Sequence, residues 1–483
     1  MSQLARNTLM LTAASIGQKL IAFLYFAVIA RTIGEESLGA YFIALAMVTT
    51  IGVLDDVGLT AVTIREVAKG PDKAKELVQN VIGIKLITMP LTIVLALLLP
   101  EWRGFDDQTV LLVQLAILVM LFDTISVTMY GVMRGLHKLK YESIGIFIGQ
   151  MLTTIFGGIA LLSGAIDLRW LVLALILGSG WNMFFASVQV IRNLGIGAFK
   201  PSLTQAKPML RMGFMFFLAA VFVKIYSYID SFTIEAVLGK AAVGSYAVAY
   251  KFTYAFQFLP LAFVGALYPT MSALAHKPAE LSQTLVKAEW YMALLATPIV
   301  FGIFSLAPEI IDFFYGSTYI ASGPVLMVLI FVLLFIFLDF PIGSLLNATG
   351  RQAVKTGLMG GAMIINVIGN LLLIPKLGLM GAAVTALATF IFLFGGGLVA
   401  VKRLTQVKLI QLFKEIIGFF VAGAVMAVVV IVLKEYIYWM LTVPIGAAVF
   451  LLIAFATKTL TTQHVRDARR LIRPTKYAES SLT

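Results

Sequence analysis

The residues able to do chemistry are lysines set inside apolar stretches. Lys19 stands in SIGQKLIAFLYFAVIARTIGEESLGAY (15–41), which is long and apolar enough to cross a membrane. Shifted by 205 positions without a gap, residues 220–246 read AVFVKIYSYIDSFTIEAVLGKAAVGSY. Lys19 then falls on Lys224, Ile29 on Ile234, Gly34 on Gly239, Gly39 on Gly244 and Tyr41 on Tyr246. Lys251 stands inside the next apolar stretch. An ammonium at the centre of a span costs at least roughly 2.5–3.5 kcal/mol on insertion scales, so it faces protein or a water-filled cavity. Lys19 and Lys224, deep and repeated, are read as cations lining a transport path, with Lys251 beside them by its depth. Lys85 lies nearer a span end and reads as a snorkelling group or an internal ion pair.

Tyrosines accompany these lysines. Lys224, Tyr228, Ser231 and Glu235 follow near-helical spacing and share one stripe. Tyr246, Tyr250 and Tyr254 recur every four residues, with Lys251 at their border. Rings with polar tips suit sugar faces, and equally suit packing. The deep acids are Asp123, Asp230 and Asp339, each a candidate for a coupling cation (Na+ or H+) or for an internal lysine partner. No catalytic role is read for any residue. There is no nucleophile–base arrangement and no phosphate-binding glycine loop, so the chain reads as a non-enzyme without cofactors. His137, His276 and His464 lie far apart, and the chain has no cysteine, which argues against a metal site.

These residues need helices to hold them in a bilayer. Of the 483 residues, 60% are hydrophobic and 12% charged, with a mean hydropathy of +0.98. Soluble domains carry roughly 25% charged residues, so a polytopic membrane protein is expected. Fourteen spans are expected: 9–32, 38–61, 79–99, 109–131, 142–164, 168–191, 209–237, 242–270, 287–307, 321–347, 354–374, 379–401, 412–433 and 438–457. With the N-terminus in the cytoplasm, 26 of the 36 Lys and Arg residues fall in inside segments and 6 in outside ones. That asymmetry supports both the count and the orientation, with both termini cytoplasmic. It also accounts for the formal charge of +12 without nucleic acid. No cleavable signal peptide is read.

The repeat divides the chain into an N-lobe (1–195, helices 1–6) and a C-lobe (209–404, helices 7–12), joined by a cytoplasmic linker (196–208). A second echo, at an offset of 215, sets Gly135, Lys140 and Gly145 on Gly350, Lys355 and Gly360. Six helices is an even number, so the halves run parallel about an axis along the membrane normal. Helices 13 and 14 (405–457) are an appendage, and the basic tail 458–483 is expected to meet anionic headgroups.

The stretches IARTIGEESLGAYFIALAMV, DDVGLTAVTIREVAKG, SYIDSFTIEAVLGKAAVGSYAVAYKF, LLNATGRQ and IPKLGLMGAAVTA resemble polysaccharide transporters of the multidrug/oligosaccharidyl-lipid/polysaccharide (MOP) exporter superfamily. The resemblance spans about residues 5–457. It implies two six-helix lobes plus two extra helices, like multidrug (MATE) exporters and lipid II flippases. It implies alternating-access flipping of a polyprenyl-diphosphate-linked oligosaccharide across the cytoplasmic membrane, for cell-surface polysaccharide biosynthesis. In such proteins basic cavity residues engage the diphosphate, and Lys19 matches in kind. The alternative reading is a cation-coupled multidrug exporter.

Overall fold

The computed structural model describes residues 3–164, 167–405 and 407–461, and among these every regular element is helical. Within hydrocarbon only a helix or a closed barrel satisfies its own backbone hydrogen bonds, and the long apolar runs take the first solution. The basic tail falls outside the described residues beyond 461.

The first half of the chain runs through α1 (Gln3–Asp56), α2 (Leu59–Lys69), α3 (Ala74–Trp102), α4 (Asp107–Gly135), α5 (Leu139–Leu162) and α6 (Leu168–Leu194). The second runs through α7 (Ala206–Leu238), α8 (Lys240–Tyr254), α9 (Phe258–Ala273), α10 (Pro278–Ser305), α11 (Ala307–Tyr315), α12 (Gly323–Ala348), α13 (Gln352–Leu377) and α14 (Leu379–Thr405). The chain then adds α15 (Leu409–Leu433) and α16 (Trp439–Ala456). Among the described residues twelve helices are long and apolar enough to cross a membrane. The count differs from the expected fourteen at two places. α1 holds two arms either side of a corner at Gly34, and residues 240–273 form an interrupted helix outside the twelve. The interruption at Ala255–Gln257 has a local cause. Pro260 has no N–H to give Phe256, and its ring crowds that carbonyl.

The repeat seen in the sequence is repeated in the backbone. Gly34 has φ 75° and ψ 170°, and its counterpart Gly239, between α7 and α8, has φ 84° and ψ 177°. That region is essentially open only to glycine, so one repeated residue makes the same corner twice. Just past each corner the two arms meet. A Cβ on Gly39 would sit 1.8 Å from the carbonyl oxygen of Lys240, and one on Gly244 would sit 2.0 Å from that of Glu35. Positions 35 and 240 differ by 205, as do 39 and 244, so the contact is reciprocal about a pseudo-two-fold axis.

In the first half α1 packs on α4 and α5, and α6 on α4 and α5; in the second, α13 packs on α7 and α14, and α12 on α10 and α14. α1 meets α8 and α7 across the middle. The core there includes Ile29, Ile43, Tyr246 and Leu333, all essentially inaccessible. Apolar side chains such as Leu98, Leu372, Val428 and Leu452 point outward, as lipid-facing surfaces require.

Further bonds join the halves at the Gly34 end. Arg103 reaches Glu235 at 3.1 Å, Lys240 reaches Asp106 at 2.8 Å, and the Ser245 hydroxyl donates to Glu35 at 2.6 Å. Tyr319 donates to the Ala30 carbonyl at 3.1 Å, and Arg31 to the carbonyls of Asp312 and Phe313. At the opposite end the connection before α7 packs on α3: Ser202 N–H donates to Gln79 at 3.0 Å, and Gln205 N–H to Asn80 Oδ1 at 2.7 Å. Lys85 is an internal ion pair, its Nζ 2.6 Å from Asp55, which also accepts from Thr88 at 2.6 Å.

Candidate functional site

The corner at Gly34 splays the two arms of α1, and the space they leave with α4, α7 and α8 is a cavity of about 800 Å³. Tyr25, Tyr41 and Phe42 line it from α1, Met120 and Asp123 from α4, Lys224 and Tyr228 from α7, and Lys251 from α8. The Lys251 ammonium lies 5.4 Å from the centroid of the Phe26 ring and 5.8 Å from that of Phe42. Lys224 lies 5.6 Å from the Tyr228 centroid. Neither lysine makes an ion pair among the described residues. A ring face offers a desolvated cation about 2 kcal/mol, less than the cost of holding that charge in a span. Both ammoniums therefore keep the capacity to take an anion.

Two acids share the cavity. Asp56 is engaged locally, accepting from the Thr60 N–H at 3.2 Å and from the Thr60 hydroxyl. Asp123 is exposed to the cavity.

The remaining candidates lie elsewhere. Tyr250 and Tyr254, with centroids 4.3 Å apart, line a second cavity of about 670 Å³. Asp339 lines it too, 2.5 Å from Lys355. Tyr246, buried at the top of the stripe, donates to Asp230 at 2.7 Å, and Ser231 N–H donates to the same carboxylate at 2.6 Å. Asp230 is thus enclosed by donors and lines neither cavity. Lys19 is exposed on the first arm of α1, outside both cavities. The structure thus gathers Lys224, Lys251, Tyr228 and Asp123 in one space, and Tyr250, Tyr254 and Asp339 in another.

Three residues escaped sequence reasoning as site residues. Phe26 and Phe42 are ordinary in an apolar run, and only the fold turns both toward Lys251. Lys355 carried a signal, since it echoes Lys140 at the offset of 215.

The model for the family described as polysaccharide biosynthesis protein matches residues 4–275, and the MatE model matches residues 216–372. The chain is 24% identical over 394 residues to the "Probable low-salt glycan biosynthesis flippase Agl15" of Haloferax volcanii, covering 80% of this chain and 81% of the relative. Among solved structures it is similar to the lipid II flippase MurJ in an inward closed conformation, with a TM-score of 0.77 at 16% identity, covering 96% of this chain and 100% of that one. It is also similar to an inward-facing multidrug resistance MATE family transporter of the MOP superfamily, with a TM-score of 0.64 at 16% identity over 82% and 99% of the two chains. At such identities these structural likenesses speak to fold.

Proposed function

The chain belongs to the polysaccharide biosynthesis protein family, and from that premise we propose that it is a flippase for lipid-linked glycan. It transports and does not catalyse. Its substrate is a polyprenyl-diphosphate-linked oligosaccharide, moved across the cytoplasmic membrane for cell-surface polysaccharide assembly. One observation carries this reading: two ammoniums with no ion pair among the described residues, Lys224 and Lys251, face one cavity between the two halves of the chain. A diphosphate and its sugars cannot cross hydrocarbon unaided. The cationic, ring-lined space replaces their hydration, while the polyprenyl tail stays among membrane lipids.

Both termini lie in the cytoplasm, and the Gly34 end faces the far side. Residues 1–195 and 209–404 act as two lobes about the linker 196–208, with 405–457 alongside. The bonds at the Gly34 end then describe a state closed to the outside. Rocking of one lobe against the other breaks them and turns the cavity outward. A cation gradient, of Na+ or H+, biases the cycle.

A second reading, cation-coupled multidrug export, is favoured by Asp123, an acid open to the same cavity, together with the MatE match over 216–372. Transport in defined vesicles separates the two. With a fluorescent polyprenyl-diphosphate oligosaccharide, wild type flips the lipid, and Lys224→Ala and Lys251→Ala each lose most of the rate while folding normally. Unchanged rates in both variants would remove the lysines from the site. Export of cationic dyes with no movement of lipid, abolished by Asp123→Asn, would establish the second reading instead.

A further inference from the structure

The second cavity, of about 670 Å³, shares two helices with the first. On α7, Lys224 and Tyr228 line the first cavity, while Val223 and Ser227 line the second. On α8, Lys251 lines the first, while Tyr250 and Tyr254 line the second. Successive positions on a helix point about 100° apart, so adjacent residues serve the two spaces. Phe42, in the first cavity, bridges them. Its ring centroid lies 5.8 Å from the Lys251 ammonium and 6.0 Å from the Tyr250 centroid.

The two cavities differ in charge. Lys224 and Lys251 have no ion pair among the described residues, whereas the charged residues lining the second cavity, Asp339 and Lys355, pair with each other at 2.5 Å. A free cation or anion therefore finds its counter-charge taken there. The second cavity is nonetheless polar. Among the described residues, the side chains of Tyr226, Tyr250, Tyr254, Gln257 and Asn347 hydrogen-bond to nothing, and all five line this space. Their polar tips are not sealed in the core. A hydrocarbon tail lying here would leave those groups without partners, at a cost. Lys355 has three donors and spends one on Asp339, so the pair still offers N–H groups to a hydroxyl. The rings of Tyr250 and Tyr254, 4.3 Å apart, add apolar faces. A neutral ligand with many hydroxyls and apolar C–H faces meets all of these features, and a sugar is such a ligand.

We propose that the second cavity is a sugar-binding subsite, separate from the cationic one. The ligand's charge sits at Lys224 and Lys251, and its sugars extend past Phe42 to Tyr250, Tyr254 and the Asp339–Lys355 pair. This deepens the flippase reading by dividing the substrate between two chambers, and as a step in transport it rests on that reading.

Two measurements on the full-length protein in lipid test this. In the first, Ser227→Cys supplies one thiol to a chain that has no native cysteine, and a water-soluble maleimide labels it. Polyprenyl-diphosphate oligosaccharide extracted from the cells that make this protein should slow labelling several-fold, and polyprenyl diphosphate without sugars should not. Slowing by both lipids would put the shared part of the molecule in this cavity, and slowing by neither would leave it without substrate. Either result overturns the proposal. The second is flipping of the fluorescent lipid-linked oligosaccharide as a function of its concentration. Tyr254→Ala and Asn347→Ala should each raise the half-saturating concentration several-fold with the unfolding temperature unchanged; Asn347 is exposed and can be trimmed without disturbing the core. Half-saturation equal to wild type in both variants would overturn the proposal. If the wild type flips the lipid but the thiol is never protected, the sugar subsite falls and the flippase reading stands. If the oligosaccharide lipid alone protects the thiol while nothing is flipped, the subsite stands and the flippase reading falls.

Discussion

Lysine in this molecule serves two purposes that depth alone does not separate. Lys85 is structural: it and Asp55 are both essentially inaccessible and meet at 2.6 Å. Removing one partner of such a pair leaves a buried charge and costs about 3–5 kcal/mol, whereas replacing both with apolar groups is near neutral. Lys85→Ala should therefore lower thermal stability in detergent strongly, and Lys85→Met combined with Asp55→Leu should recover most of it. A single variant as stable as wild type would sink this reading. Lys224 stood out in the sequence because an ammonium in an apolar run at a repeated position is rare, and in the structure it is half-buried and lines the first cavity. The burial of Glu289, on α10, was not legible. It lies two residues from Lys287 near a helix start, where a charge reads as interfacial. Only packing reveals that it turns inward while Lys287 turns out. The tyrosine stripe shows the same limit. Four-residue spacing put Tyr246, Tyr250 and Tyr254 on one face, but one face can cross from core to cavity along its length.

Helices were legible from the length of their apolar runs, and their corners were not. Gly34 leaves the helical region, so the two arms of α1 are two helices meeting at a kink, and nothing in the apolar run around it announces the turn. The corner depends on glycine. At φ 75° and ψ 170° a side chain costs of order 1–3 kcal/mol, so Gly34→Ala and Gly239→Ala should each destabilise by about that amount, read as a shift in unfolding temperature. The close approach beyond the corner is less forgiving. Gly39→Val places atoms where the Lys240 carbonyl now sits, which should prop this end apart. The chain has no native cysteine, so a single Lys224→Cys can report it. A membrane-impermeant thiol reagent added at the Gly34 face should label the cavity faster when Gly39→Val is also present. Equal labelling rates would show that the contact does not close the path.

At the scale of the whole molecule, the Gly34 end is held by charges as well as by glycines. Burial tends to push the Asp106 carboxyl up, but the bonds from Lys240 and Thr109 and the Lys240 charge outweigh it and hold it below the usual carboxylate value. A carboxyl depressed in the folded state contributes above its unfolded value, and the contribution is lost as pH falls through the folded one. The bridge should therefore persist down to about pH 4 and loosen below that. Lys240→Gln should remove this acid dependence of closure, measured by the same labelling. The reciprocal contact also has a consequence for ancestry. If the two halves descend from one duplicated gene, the ancestral chain met a second copy of itself at this point, the glycine of each against the carbonyl four residues earlier in the other. Such a self-complementary patch is what a two-fold dimer requires. Gene fusion then freed each copy to diverge, one toward Glu35 and the other toward Lys240, while the glycines stayed. Residues 1–195 and 196–483 expressed as separate polypeptides should accordingly find each other in the membrane through this seam, and Gly244→Val in the second fragment should prevent the reunion.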